Sequence, residues 1–183
     1  IENEPKLKHD TGLHNDLIFN QIHSLLDGFR HYSYDLPVWI TEGLAHWWER
    51  QNDPRWNTFS QSEGGVADTR TTWKWRAYMR GLFAKKKFSS FASVYKWRDY
   101  TDLQFDDHVG IWSRWDFLMS QGDEKLREFL FAVKGRVKPE DWSTNQSDLV
   151  GVTRDALRKA YNLTPLNFDD KWKAWVMENY PSK

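Results

Sequence analysis

Apolar residues recur at three- and four-residue spacing along most of this chain, and no stretch shows the strong two-residue alternation of a half-buried strand. That periodicity restricts the fold more than any other feature, because a 3.6-residue stripe buries one face only when the segment is helical. Ile18, Ile22, Leu25, Leu26 and Phe29 form such a stripe and predict a helix over 13–29. Ile40, Leu44, Trp47 and Trp48 predict a second over 37–51, with Pro37 suited to the first turn, where a missing N–H costs nothing. Further stripes predict short helices within 72–84 and 88–97, then longer ones over 107–120, 123–134, 152–161 and 167–178. Asp123 is placed to cap the helix that Gly135 ends, and Asn167 with Asp170 has the spacing of a capping box. Residues 1–12 read as an extended lead-in, and residues 52–71, with Pro54, Gly64 and Gly65, as a loop-rich connection. The Lys85-Lys86-Lys87 run reads as a solvated turn. The expectation is a mainly α protein, with one helical domain over 13–180.

Length and charge narrow the function classes. A chain of 183 residues can bury one sizeable core. Its 26 basic and 26 acidic residues balance, which removes the electrostatic argument for a nucleic-acid partner. No apolar run is long enough for a membrane span. The absence of cysteine excludes disulfides and thiolate metal sites. Twelve tryptophans fall mostly on the helical stripes, so they read first as core and only second as stacking platforms for a peptide or carbohydrate.

Chemistry-bearing residues concentrate early. Five of the six histidines precede residue 47: His9, His14, His23, His31 and His46. His23 ends the run Phe19-Asn20-Gln21-Ile22-His23, and eighteen residues separate it from Glu42 in Leu36-Pro37-Val38-Trp39-Ile40-Thr41-Glu42-Gly43-Leu44-Ala45. His46 follows Glu42 by one helical turn, so both side chains can share a face. His9, His14 and His31 lack ligand spacing with His23. No Gly-x-Ser-x-Gly elbow and no glycine-rich phosphate loop is present.

The Leu36–Ala45 segment resembles the corresponding segment of peptidase MA-like domains, which are gluzincin metallopeptidases. The likeness extends over roughly residues 13–178, with Trp172 to Val176 matching a closing helix. It implies the helical part of a thermolysin-like fold, with two zinc-binding histidines and a general-base glutamate in H-E-x-x-H and a third ligand on the next helix. Carried over, the third ligand falls on Glu42 and the second histidine on His23. The first histidine position holds Phe19, which cannot ligate, and the general-base position holds Asn20, which cannot take a proton from water. The expectation is a degenerate, non-catalytic metallopeptidase-like domain acting as a binding or structural module. No catalytic residue is assigned. His23, Glu42 and His46 are the candidate metal ligands; no cofactor is expected, and zinc is the one such a set could take. The alternatives are a metal-dependent hydrolase using nonstandard ligands and a tryptophan-lined module for a peptide, protein or carbohydrate. An extracytoplasmic location is implied only by the resemblance.

Overall fold

The structure is a computed structural model that describes residues 10–30, 36–59, 73–100, 103–135 and 149–182. Among these residues it is all helical, with eight helices and no strand: α1 (Asp10–Gly28), α2 (Val38–Asn52), α3 (Trp75–Lys85), α4 (Phe91–Val94), α5 (Phe105–Met119), α6 (Asp123–Lys134), α7 (Leu149–Tyr161) and α8 (Phe168–Asn179). No described helix is long and apolar enough to cross a membrane.

The centre of the fold is α5. Every residue from His108 to Leu118 is buried, so this helix has no solvent face and other elements must surround it. α2, α3 and α8 pack against it, α1 lies on α2, and α6 and α7 pair mainly with each other. The approach of α2 to α5 depends on Gly43. A Cβ there would stand 2.1 Å from Trp115 Cδ1 and 2.7 Å from Ile111 Cγ2, closer than atoms can pack. Trp115 is held where it is: its ring stacks on Trp39 at 5.3 Å, and its Nε1–H donates to the Trp39 carbonyl at 2.7 Å. Phe91 and Phe129 close the ring cluster edge-on and tilted around Trp39.

Several local expectations need correction. Helix α1 starts at Asp10, so residues 10–12 are not an extended lead-in; residues 1–9 lie outside the described part. Its buried face is also turned relative to the expected stripe. Asn15, Phe19 and Leu26 are buried, while Leu25 is 57% exposed. In α2 the two tryptophans lie at the margin, Trp47 half-buried and Trp48 exposed, while Glu42, His46 and Glu49 are fully buried. The reason in both helices is a polar cluster that takes the place of apolar contacts between α1, α2 and α5. The expected helix over 88–97 shrinks to the single turn of α4, after which the Trp97 carbonyl accepts from the Val38 N–H at 3.3 Å. The residue capping α6 is Gly122, at φ 106°, and Asp123 instead puts its charge in the first turn, next to the helix dipole. Asn167 does occupy the N-cap of α8, but its side chain makes no capping bond and accepts from the Thr164 N–H. The capping box is at α5, between Gln104 and Asp107.

Among the described residues, five tryptophans are fully or nearly fully buried: Trp39, Trp75, Trp112, Trp115 and Trp172. Two buried arginines are packed against such rings. The Arg50 guanidinium lies 3.9 Å from the Trp75 ring centre and Arg114 lies 4.1 Å from that of Trp172. Both keep hydrogen bonds to carbonyls, Arg50 to Pro54 and Trp73 and Arg114 to Ser89, so neither charge is buried without compensation.

Candidate metal centre

Three helices send polar side chains to one buried point. α2 supplies Glu42 and, one turn later, His46; α5 supplies His108; α1 supplies His23. Glu42, His46 and His108 are all fully buried, and one ligand atom of each lies within 4.8 Å of the others, so the three could hold a metal ion. His46 Nε2 and His108 Nδ1 are 3.0 Å apart. Glu42 Oε2 lies 3.7 Å from His46 Nε2 and 3.8 Å from His108 Nδ1. The other carboxylate oxygen of Glu42, Oε1, lies 3.0 Å from His23 Nε2.

A second carboxylate supports the first group. Glu49, one turn beyond His46, places Oε1 2.6 Å from His46 Nδ1, and its Oε2 accepts from the Thr58 N–H at 2.9 Å. His46 is thus gripped at both ring nitrogens, one toward Glu49 and one toward the cluster. Burial pushes the His46 pKa well below the usual imidazole value, reinforced by His108, Arg50 and His23 nearby. Burial alone lowers His108 to about 4. Both rings are therefore neutral at pH 7, the state in which an imidazole nitrogen offers a lone pair. Burial raises Glu49 well above the usual carboxylate range, against the Thr58 hydrogen bonds and the Arg50 charge, which lower it.

The residues singled out from the sequence fall as follows. His23, Glu42 and His46 are brought together, with Glu42 between the two imidazoles. Phe19 is buried beside them, its ring centroid 4.8 Å from that of His23 and 5.1 Å from that of His46. Asn20 is exposed, and its amide donates back along α1 to the Asp16 carbonyl at 2.8 Å. His14 is exposed, while His9 and His31 lie outside the described residues. His108 was missed. It is the lone histidine of the second half, 62 residues from His46. Its position did carry a signal, because it precedes Ile111 by three residues and Trp112 by four, which sets a polar ring on an otherwise apolar face.

A second polar group lies on the far half of α5. Asp116 accepts from Trp47 Nε1 at 3.2 Å, from the Tyr180 hydroxyl at 2.9 Å and from Arg76. These residues, with Trp175 and Met119, line a cleft of about 310 Å³. The carboxylate there is already engaged by three protein donors.

No protein-family model, curated protein or solved structure matches the chain.

Proposed function

We propose that this is a degenerate zinc-metallopeptidase-like domain of the gluzincin kind, one that does not cleave peptides and serves as a binding or structural module. The observation that carries the reading is the state of Phe19 and Asn20. Peptide hydrolysis at a gluzincin centre needs a histidine at the first position and a glutamate beside it, the one to hold the metal and the other to take a proton from its water. In this chain the first position is a buried phenyl ring packed on His23 and His46. The second is a solvent-facing amide bonded to its own helix. Neither can do the chemistry, while the His23–Glu42 approach that the resemblance calls for is present at 3.0 Å.

The test is hydrolysis of a quenched peptide library by the zinc-supplemented protein. No turnover above the zinc blank is expected. Turnover abolished by a chelator would overturn the reading and favour the second one, a hydrolase with nonstandard ligands. That alternative draws support from the two-histidine, one-carboxylate set of Glu42, His46 and His108, a donor set that catalytic zinc sites also use. The carbohydrate reading is favoured less, since five tryptophan rings are in the core and Asp116 is saturated by internal donors.

A further inference from the structure

We propose that Glu42, His46 and His108 bind one zinc ion through Oε2, Nε2 and Nδ1, with Glu49 and His23 as positioning residues rather than ligands. This places the metal between α2 and α5, at the turn of α2 that joins Glu42 to His46, instead of between α1 and α2, where the resemblance would put it. The proposal stands whether or not the chain shares ancestry with gluzincins.

The three donor atoms form a compact triangle. Its sides are 3.0, 3.7 and 3.8 Å. The circumradius of such a triangle is about 2.1 Å, so a single point lies at zinc–ligand distance, 2.0–2.2 Å, from all three atoms. An ion at or slightly above that point needs no movement of the helices.

The donor types match the metal. Two neutral imidazoles and a carboxylate form a borderline-soft N,N,O set, which suits zinc and leaves a fourth position for water or a further oxygen.

An outer set of contacts holds the donors in place. A histidine that binds a metal through one nitrogen usually donates its other N–H to a carboxylate, which fixes tautomer and ring orientation. Glu49 is placed for this at 2.6 Å from His46 Nδ1, and is itself fixed by the Thr58 N–H. With a metal on Nε2, Nδ1 is the nitrogen left to donate, and Glu49 is the acceptor beside it. On the opposite side, His23 approaches the Glu42 oxygen that points away from the triangle. Phe19 packs against the His46 ring from the α1 side.

The experiment is calorimetric titration of chelator-stripped protein with Zn²⁺, on the parent and on three variants checked for folding by circular dichroism. The parent is expected to take one zinc per chain. Glu49→Gln and His23→Gln should weaken binding within the roughly 10–100-fold that loss of an outer partner costs, and His108→Gln should weaken it further than either. Lack of stoichiometric binding by the parent would overturn the proposal. So would full binding by a folded His108→Gln protein, or a His23→Gln loss exceeding that of His108→Gln, which would mark His23 as the ligand. Should His108→Gln not fold, X-ray absorption of the zinc-loaded parent decides. Two imidazoles and one carboxylate are expected, and fewer than two imidazoles would overturn it. Peptide turnover is read separately, so failure here and failure of the non-peptidase reading give different results.

Discussion

Substituting Gly43 by alanine offers a quantitative test of how α2 meets α5. In an open helix position, glycine to alanine stabilises by about 1 kcal/mol through backbone entropy. At position 43 the added methyl would sit 2.1 Å from Trp115 Cδ1, 2.7 Å from Trp115 Nε1 and 2.7 Å from Ile111 Cγ2. The Trp115 ring cannot swing aside without unstacking from Trp39 and breaking its 2.7 Å hydrogen bond to the Trp39 carbonyl. Overpacking of this kind costs about 1–3 kcal/mol, and a lost buried hydrogen bond adds about 1 kcal/mol. After the propensity gain is set against these terms, Gly43→Ala should destabilise by about 1–3 kcal/mol. Gly81→Ala is the internal control, because it lies inside α3 with nothing within 4 Å of its added Cβ. It should stabilise by about 0.5–1 kcal/mol. Both variants gain the same propensity, so their difference isolates the interhelix contact. The assay is urea unfolding of parent and variants, followed by far-ultraviolet circular dichroism and tryptophan fluorescence. Equal or greater stability for Gly43→Ala would refute the close approach of α2 and α5, and with it the 3.0 Å spacing of His46 and His108.

Other expectations follow from the same packing. Phe19→Ala should cost about 3–5 kcal/mol in urea unfolding, the usual loss for a buried aromatic, whereas Asn20→Ala, at an exposed position, should cost under about 0.5 kcal/mol. In metal-free protein, His108 is held at about 4 while an unfolded imidazole titrates near 6.5. The unfolded chain therefore binds the extra proton, and the stability His108 confers is full above pH 6.5 and declines toward pH 4. The stability difference between parent and His108→Gln should shrink by about 3 kcal/mol from pH 7 to pH 4, and a pH-independent difference would contradict the burial of this ring. The comparison is needed because Glu49, raised by burial, shifts the parent's own pH curve in the opposite sense. Asp116→Ala removes the acceptor for Trp47 Nε1 and one of two partners of the Tyr180 hydroxyl. It should cost about 1–3 kcal/mol in thermal unfolding, and Asp116→Asn, which keeps one carbonyl acceptor, should cost less.

The sequence displayed its helices but not all of their orientations. The stripe Ile111, Trp115 and Leu118 located α5 well, since a helix buried on every side satisfies any apolar stripe drawn on it. In α1 the same logic picked Leu25 for the core and left Phe19 beside it, the reverse of what is found. Hydrophobic spacing assumes that the buried face is the apolar one. Between α1, α2 and α5 the buried face carries His23, Glu42, His46, Glu49 and His108, held by mutual polar contacts that periodicity cannot register. Glu42 and His46 were readable because one turn of one helix joins them. His108 joins only through the packing of α5 on α2, and that packing depends on a single missing methyl at Gly43.

The all-round burial of α5 has a kinetic counterpart. Its amides cannot reach water by fraying of a surface face, so hydrogen exchange along His108–Leu118 should require the entire fold to open. Helices α6 and α7 lean chiefly on each other, Phe129 against Tyr161 among them, and touch the centre through Phe129 against Trp39 and Trp115, so the pair can lift away as a unit at lower free energy. Exchange rates on α5 then report global stability, and those on α6 and α7 report a smaller, separable opening that leaves the His46–His108 contact intact.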